Sequence, residues 1–137
     1  MIARITEEPL DLMEHVAAVS TSADGAVATF VGLVRDHDPS VDGEVVVLEY
    51  SAHPDAGEVL AGIAASLTAA GGVRAALSHR IGRLGVGEAA IVAAVSSAHR
   101  AEAFEACRDL VERVKAEAPI WKREILADGS HTWVGIS

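Results

Sequence analysis

Lysine is almost missing from this chain. Among 137 residues only Lys115 and Lys122 are lysines, and arginine supplies the rest of the fixed positive charge. An amine loses its proton far more readily than a guanidinium where its surroundings are dry. Two lysines kept against that bias are either ordinary surface residues or a sign that an amine is wanted. Cysteine is just as scarce. Cys107 stands alone, which excludes an internal disulfide framework. Positive charge as a whole is short, 11 Lys and Arg against 20 Asp and Glu, for a net charge of -9. Such a balance excludes a general nucleic-acid binder. It still allows a local basic pocket that captures a small anion. The longest apolar runs, residues 25–34 and 89–95, are too short to cross a bilayer. The start of the chain carries no charged-then-apolar leader pattern, so a cytoplasmic protein is expected. The six histidines form no HExxH pattern and have no cysteine-rich partner spacing, so neither a metal nor another cofactor is expected. No Gly-x-Ser-x-Gly or phosphate-loop motif is present.

What is present suits one domain, residues 1–137, with one core: half of the residues are hydrophobic. Residues 2–6 read as a short strand. Asp11 and Glu14 have the form of a capping box, and Leu12, Met13, Val16 and Val19 give the helix that follows an apolar face. That helix should end within residues 20–24. Residues 25–34 are almost continuously apolar, which predicts a central strand covered on both faces. The strand ends in Leu33-Val34-Arg35, where an arginine could meet a ligand. Residues 36–43 are a polar loop, and residues 44–50 the return strand. His53-Pro54-Asp55 opens a second helix, with Asp55 and Glu58 as a second capping box. Val59, Leu60, Ile63, Ala64 and Leu67 form its inner face, and Gly71-Gly72 stops it. Strands follow at residues 73–81 and 88–96. The glycines at 82, 85 and 87 lie between those strands and predict a hairpin, not a dinucleotide site.

His99-Arg100 leads into a third helix that runs to about Glu117, where Pro119 prevents it from continuing. Phe104, Cys107, Val111, Val114 and Ala118 predict one buried stripe along it, so Cys107 reads as a packed core thiol. Residues 120–126 and 132–136 are the last two strands, about an Asp128-Gly129 turn, with Trp121 and Trp133 expected as core or interface anchors. Interleaved strands and helices with few parallel crossovers predict an α+β fold, three helices against a largely antiparallel sheet.

The candidate chemistry gathers in the last third of the chain. His99 and Arg100 sit at a helix N-terminus, where free N–H groups and the dipole attract anions. Lys115 follows Val111 by one turn and should border the buried stripe, where partial burial would lower its pKa. Lys122 and Glu124 share a strand face. Glu124 either orients Lys122 or neutralises it.

Five blocks carry a family resemblance. They are Gly25-Ala26-Val27-Ala28-Thr29-Phe30-Val31-Gly32-Leu33-Val34-Arg35-Asp36, Leu48-Glu49-Tyr50, His79-Arg80-Ile81-Gly82, Ser96-Ser97-Ala98-His99-Arg100 and Pro119-Ile120-Trp121-Lys122-Arg123-Glu124. In this order and spacing the chain resembles the large, catalytic subunit of molybdopterin synthase. The resemblance implies an α/β hammerhead fold and a sulfurtransferase that converts cyclic pyranopterin monophosphate to molybdopterin. Two sulfurs would be inserted as a dithiolene, each delivered as the C-terminal Gly-Gly thiocarboxylate of a small ubiquitin-fold partner. It also implies a dimer of large subunits with one small subunit at each end.

Carried onto this sequence, the family's substrate-binding residues fall on Leu33, Val34, Arg35, His99, Arg100, Lys115, Lys122, Arg123 and Glu124, and its two catalytic lysines on Lys115 and Lys122. Arg35, His99 and Arg100 would then hold the pterin phosphate and ring. Lys115 would lie beside the thiocarboxylate as a charge stabiliser or acid/base, and Lys122 would assist binding or proton transfer. Sulfur supplied by a partner would also explain why no reactive cysteine is needed. The chain departs from the family at Arg123, often lysine, at Ser51-Ala52-His53, and after Trp133-Val134, where relatives often continue. A dimeric module that binds a pterin phosphate or another anionic metabolite without turnover is the alternative.

Overall fold

The computed structural model describes residues 2–39 and 42–135. Ser40 and Val41 of the predicted loop, and Ile136 at the end of the predicted last strand, lie outside the described residues. The elements in chain order are β1 (Ala3–Thr6), α1 (Leu12–Val19), β2 (Ala26–Leu33), β3 (Val45–Ala52), α2 (Ala56–Ala69), β4 (Val73–Arg80), β5 (Gly82–Gly85), β6 (Ala89–Ser97), α3 (Arg100–Glu117), β7 (Ile120–Leu126) and β8 (His131–Gly135). The class is the α+β arrangement expected from the sequence, but the strands divide into two four-stranded sheets. One runs β1-β4-β6-β2 and the other β5-β3-β7-β8. The only parallel pairing among these strands is β1 with β4.

The first sheet carries most of the core. Every residue of β6 after Ala89 is buried, because α2 and α3 cover one face of the sheet and α1 the other. On the α2/α3 side Leu60, Ile63, Leu77, Val95, Leu110 and Val114 close together. On the α1 side Val19 packs on Ala76 and Ala94. Alanines on β4 and β6 let helices approach from both sides. The sequence places the doubly covered strand at residues 25–34, yet β2 is an edge strand, with Val31 at 37% exposure and Leu33 at 61%. An apolar run shows hydrophobicity but not which strand gains a neighbour on each side.

The predicted return strand is also reassigned. β2 pairs with β6, whereas β3 pairs with β5 and β7 in the other sheet. The loop after β2 therefore crosses between sheets and does not close a hairpin. The hairpin expected about the glycines is half right: β4 and β6 do pair antiparallel. Between them the chain detours through β5 into the second sheet. Gly82 makes that corner at φ +92°, a left-handed conformation that a side chain would strain.

Helix details follow the capping rules in part. Asp11 caps α1 by accepting the Met13 N–H at 3.0 Å. Glu14 pairs with Arg4 and does not reach back to the cap. Asp55 makes no side-chain cap bond to α2, and its own N–H goes to His53 Nδ1 at 3.1 Å. Two residues assigned to inner faces point outward, Met13 and Phe104, at 65% and 67% exposure. In their place α1 buries His15 and α3 buries Leu110.

Candidate active site

The two sheets meet at a small apolar seam of Val34, Val45, Leu48, Leu84, Ala90 and Leu126. Beside it opens a cleft of about 430 Å³ lined by residues of six elements, β6 contributing Ala90 and Ile91. Arg35 enters just after β2. Tyr50 comes from β3, His79 from the end of β4, Lys115 from the last turn of α3 and Lys122 from β7. The sheet register explains the placing, because Tyr50 and Lys122 are cross-strand partners. At the rim β2 slips register between Gly32 and Leu33. A Cβ on Gly32 would lie 2.6 Å from Ile91 Cγ2, so only glycine lets β2 and β6 approach this closely there.

Both lysines thus reach one cleft. Lys115 is exposed in the single chain, not half-buried as its stripe position suggests, because α3 ends there with Ala118 and Pro119 turning away. Lys122 is partly covered, with 23% of its side chain exposed. Its Nζ lies 3.6 Å from Glu124 Oε1 and 3.6 Å from Asp38 Oδ2. The shared face of Lys122 and Glu124 is as the alternation predicts. Asp38, a loop residue, had no signal in the sequence that would mark it as the second partner.

Of the remaining expected residues only Leu33 reaches the cleft. Leu33 lines the cleft, whereas Val34 is buried in the seam. Arg123 is on the opposite face of β7 from Lys122. There it donates to Glu49 at 2.5 Å and lies 5.6 Å from the centre of the Trp133 ring. Its Nε is buried without a hydrogen-bond partner. Glu49 also meets Arg83 at 3.3 Å, and the Arg123 hydrogen bond holds its carboxyl below the usual carboxylate range. Trp121 and Trp133 are not core residues, being 46% and 56% exposed. Cys107 is a packed thiol, and burial pushes its pKa up. His99 and Arg100 are exposed at the far end of α3, roughly 23 Å from Lys115 at 1.5 Å of rise per residue. One chain does not bring them to the cleft.

Two cleft residues, Tyr50 and His79, were assigned no role from the sequence. His79 is 4% exposed and its ring meets Tyr50 edge-on, with centroids 5.0 Å apart. Its Nδ1 lies 2.8 Å from the Arg80 carbonyl oxygen, which can only accept, so Nδ1 carries the proton. Burial pushes the imidazole down to about 4, and the Lys115 charge pushes the same way. At neutral pH the ring is therefore uncharged, with its lone pair on Nε2. Burial, and then the Glu124 charge, push the Tyr50 phenol up to about 12, so it stays a donor. A histidine closing an apolar strand was the available signal for His79, the same kind that marked Arg35.

The cleft gathers Arg35, Lys115 and Lys122 with a phenol donor and a neutral imidazole, within a protein of net charge -9. That set suits an anionic ligand, with groups able to move a proton beside it.

Comparison with known proteins agrees with this geometry. The family described as MoaE protein matches residues 5–117. The molybdopterin synthase catalytic subunit of Nostoc is 46% identical over 136 residues, covering 96% of this chain and 81% of that one. Molybdopterin synthase catalytic subunit 1 of Mycobacterium tuberculosis is 43% identical over 134 residues, covering 96% and 89%. The crystal structure of molybdopterin synthase from Staphylococcus aureus superposes with a TM-score of 0.89 at 34% identity, covering 96% of this chain and 95% of that one. With its fold, its cleft and its sequence in agreement, the chain belongs to the MoaE family of molybdopterin synthase catalytic subunits.

Proposed function

We infer that the cleft is where sulfur is transferred to a pterin substrate. The chain is an enzyme of molybdopterin synthesis, a sulfurtransferase. Its substrate is cyclic pyranopterin monophosphate. Its sulfur donor is a small ubiquitin-fold subunit that presents a C-terminal Gly-Gly thiocarboxylate, and the two work together in the cytoplasm. The observation that carries this reading is the meeting of Arg35, Lys115 and Lys122 in one cleft.

Each residue has a role that follows from its chemistry. Arg35 offers a planar fork of donors to the substrate phosphate. Lys115, at the open edge, receives the thiocarboxylate and stabilises charge as the carbonyl is attacked. Lys122, held between two carboxyls, moves a proton or fixes the pterin. His99 and Arg100 serve a cleft other than their own: in a dimer of catalytic subunits they complete the phosphate site of the second copy. Arg123, on the outer face of β7, supports the strand through Glu49 and Trp133.

The test is reconstitution. The protein incubated with cyclic pyranopterin monophosphate and thiocarboxylated small subunit should produce the dithiolene. Lys115→Ala should lower the rate by about 100-fold or more. A variant converting substrate at the native rate would overturn the assignment.

A further inference from the structure

Glu124 is the least comfortable side chain near the cleft. It is 1% exposed, and its Oε2 is buried without a donor. Asp38 and Glu124 line the same small hollow on either side of Lys122, so two acids share one site. Lys122 Nζ lies 3.6 Å from each carboxyl group, so a single ammonium faces two acids. That smaller hollow, of about 20 Å³, opens among Arg35, His37, Asp38, Lys122 and Glu124, with room for one water.

Two carboxylates that share a site cannot both ionise freely, and one keeps its proton to higher pH. We propose that Asp38 and Glu124 share one proton and act as a positioning pair for Lys122, one member the acid and the other the carboxylate. With that proton the three side chains are neutral in sum. Without it they carry one net negative charge beside a cleft that must accept an anion. The pair thus supplies a neutral-pH condition on substrate binding. It also holds a proton in reserve. When Lys122 gives its proton to a substrate group, an N–H bond breaks and a bond from hydrogen to substrate forms. The acid member then gives its proton to the amine: an O–H bond breaks, the N–H bond is restored, and the pair, now two carboxylates, carries one more negative charge than before.

The electrostatics agree with the geometry. Burial pushes the Glu124 carboxyl up to about 7. The Asp38 hydrogen bond and charge push it the same way, and Lys122 opposes them. Other titratable groups face the pair. Arg35 and His37 line the smaller hollow, Tyr50 feels the Glu124 charge from β3, and Lys115 shares the larger cleft with Lys122.

The catalytic consequence rests on the sulfur-transfer reading above, but the pair itself does not, so the test has two arms. In the isolated protein, carbon NMR of labelled carboxyl groups should show Glu124 titrating near 7, and Asp38→Asn should lower that midpoint by about one pH unit or more. In the reconstituted enzyme, Asp38→Asn should move the alkaline limb of the pH profile of kcat/KM downward by a similar amount. Glu124→Gln should abolish that limb. A wild-type Glu124 that titrates in the ordinary carboxylate range, or a midpoint unchanged by Asp38→Asn, would overturn the pair. A wild-type protein that makes no dithiolene while Glu124 still responds to Asp38→Asn would sink the functional reading and leave the pair standing.

Discussion

Two buried polar groups, one packed on the first sheet from α1 and one on the second sheet, are treated in opposite ways. His15 faces the first sheet at 2% exposure, and both ring nitrogens are engaged, with the Asp11 carbonyl at 2.6 Å and Ser78 Oγ at 2.7 Å. Nearby Ser96 donates to the Val19 carbonyl at 2.7 Å. These bonds tie α1 to the back of the sheet and leave nothing unsatisfied. Glu124 faces the second sheet's inner side at 1% exposure with an orphaned oxygen, a neighbouring acid and a lysine at long range. Full satisfaction of buried polar groups is the rule, and an exception asks for a reason. Among the described residues the two exceptions are neighbours on β7, Glu124 on the face toward the cleft and Arg123 on the outer face. The first sheet uses its polar residues to hold the fold, and the second keeps Glu124 uncomfortable beside the cleft.

The largest expected effect would come from breaking the cleft side alone. Lys122→Ala should reduce dithiolene formation per folded molecule by about 100-fold or more in the reconstituted assay. The matching cut on the other side is His15→Ala. It should cost about 1–3 kcal/mol in a denaturant titration by leaving Ser78 and a carbonyl unpaired, with activity per folded molecule unchanged. A loss of activity there, beyond the unfolded fraction, would erase the distinction.

The pH dependence of stability sharpens the contrast, because His79 and Glu124 act with opposite signs. His79 has its folded pKa lowered from 6.5 to about 4. Its contribution is present above pH 6.5 and lost as pH falls through 4. Glu124 has its folded pKa raised from 4.5 to about 7. Its contribution is full below pH 4.5 and lost as pH rises through 7. In the wild type the two nearly offset each other across that range. Relative to wild type, His79→Gln should gain stability as pH falls from 7 to 4.5, and Glu124→Gln should lose it, each by up to about 3 kcal/mol. Urea titrations at a series of pH values would show curves of opposite slope. The smallest effect belongs to a surface control. Arg113→Ala breaks an exposed one-turn ion pair with Glu117 and should cost no more than about 0.5 kcal/mol in the same titration.

Local chemistry was readable in the sequence. The stop at Pro119, the cap at Asp11 and the common face of Lys122 and Glu124 all depend on near neighbours. Arg35, the end of an apolar strand, was found for the same reason. The division into two sheets was not readable. β2 and β3 are adjacent in sequence and look like a hairpin, and only the partners offered by β6 and β7 separate them. The helix faces of Met13 and Phe104 failed likewise, since periodicity gives the stripe but not the extent of what covers it. Asp38 and Tyr50 became visible as cleft neighbours only when the loop after β2 and the register of β3 on β7 were known.

The corner at Gly82 has a mechanical consequence. His79 and Leu84 lie a few residues apart, yet they belong to different sheets, joined by a single left-handed turn. So short a strut leaves the two halves little freedom to slide. The wall that His79 gives the cleft is thus anchored one turn away from the seam that Leu84 fills.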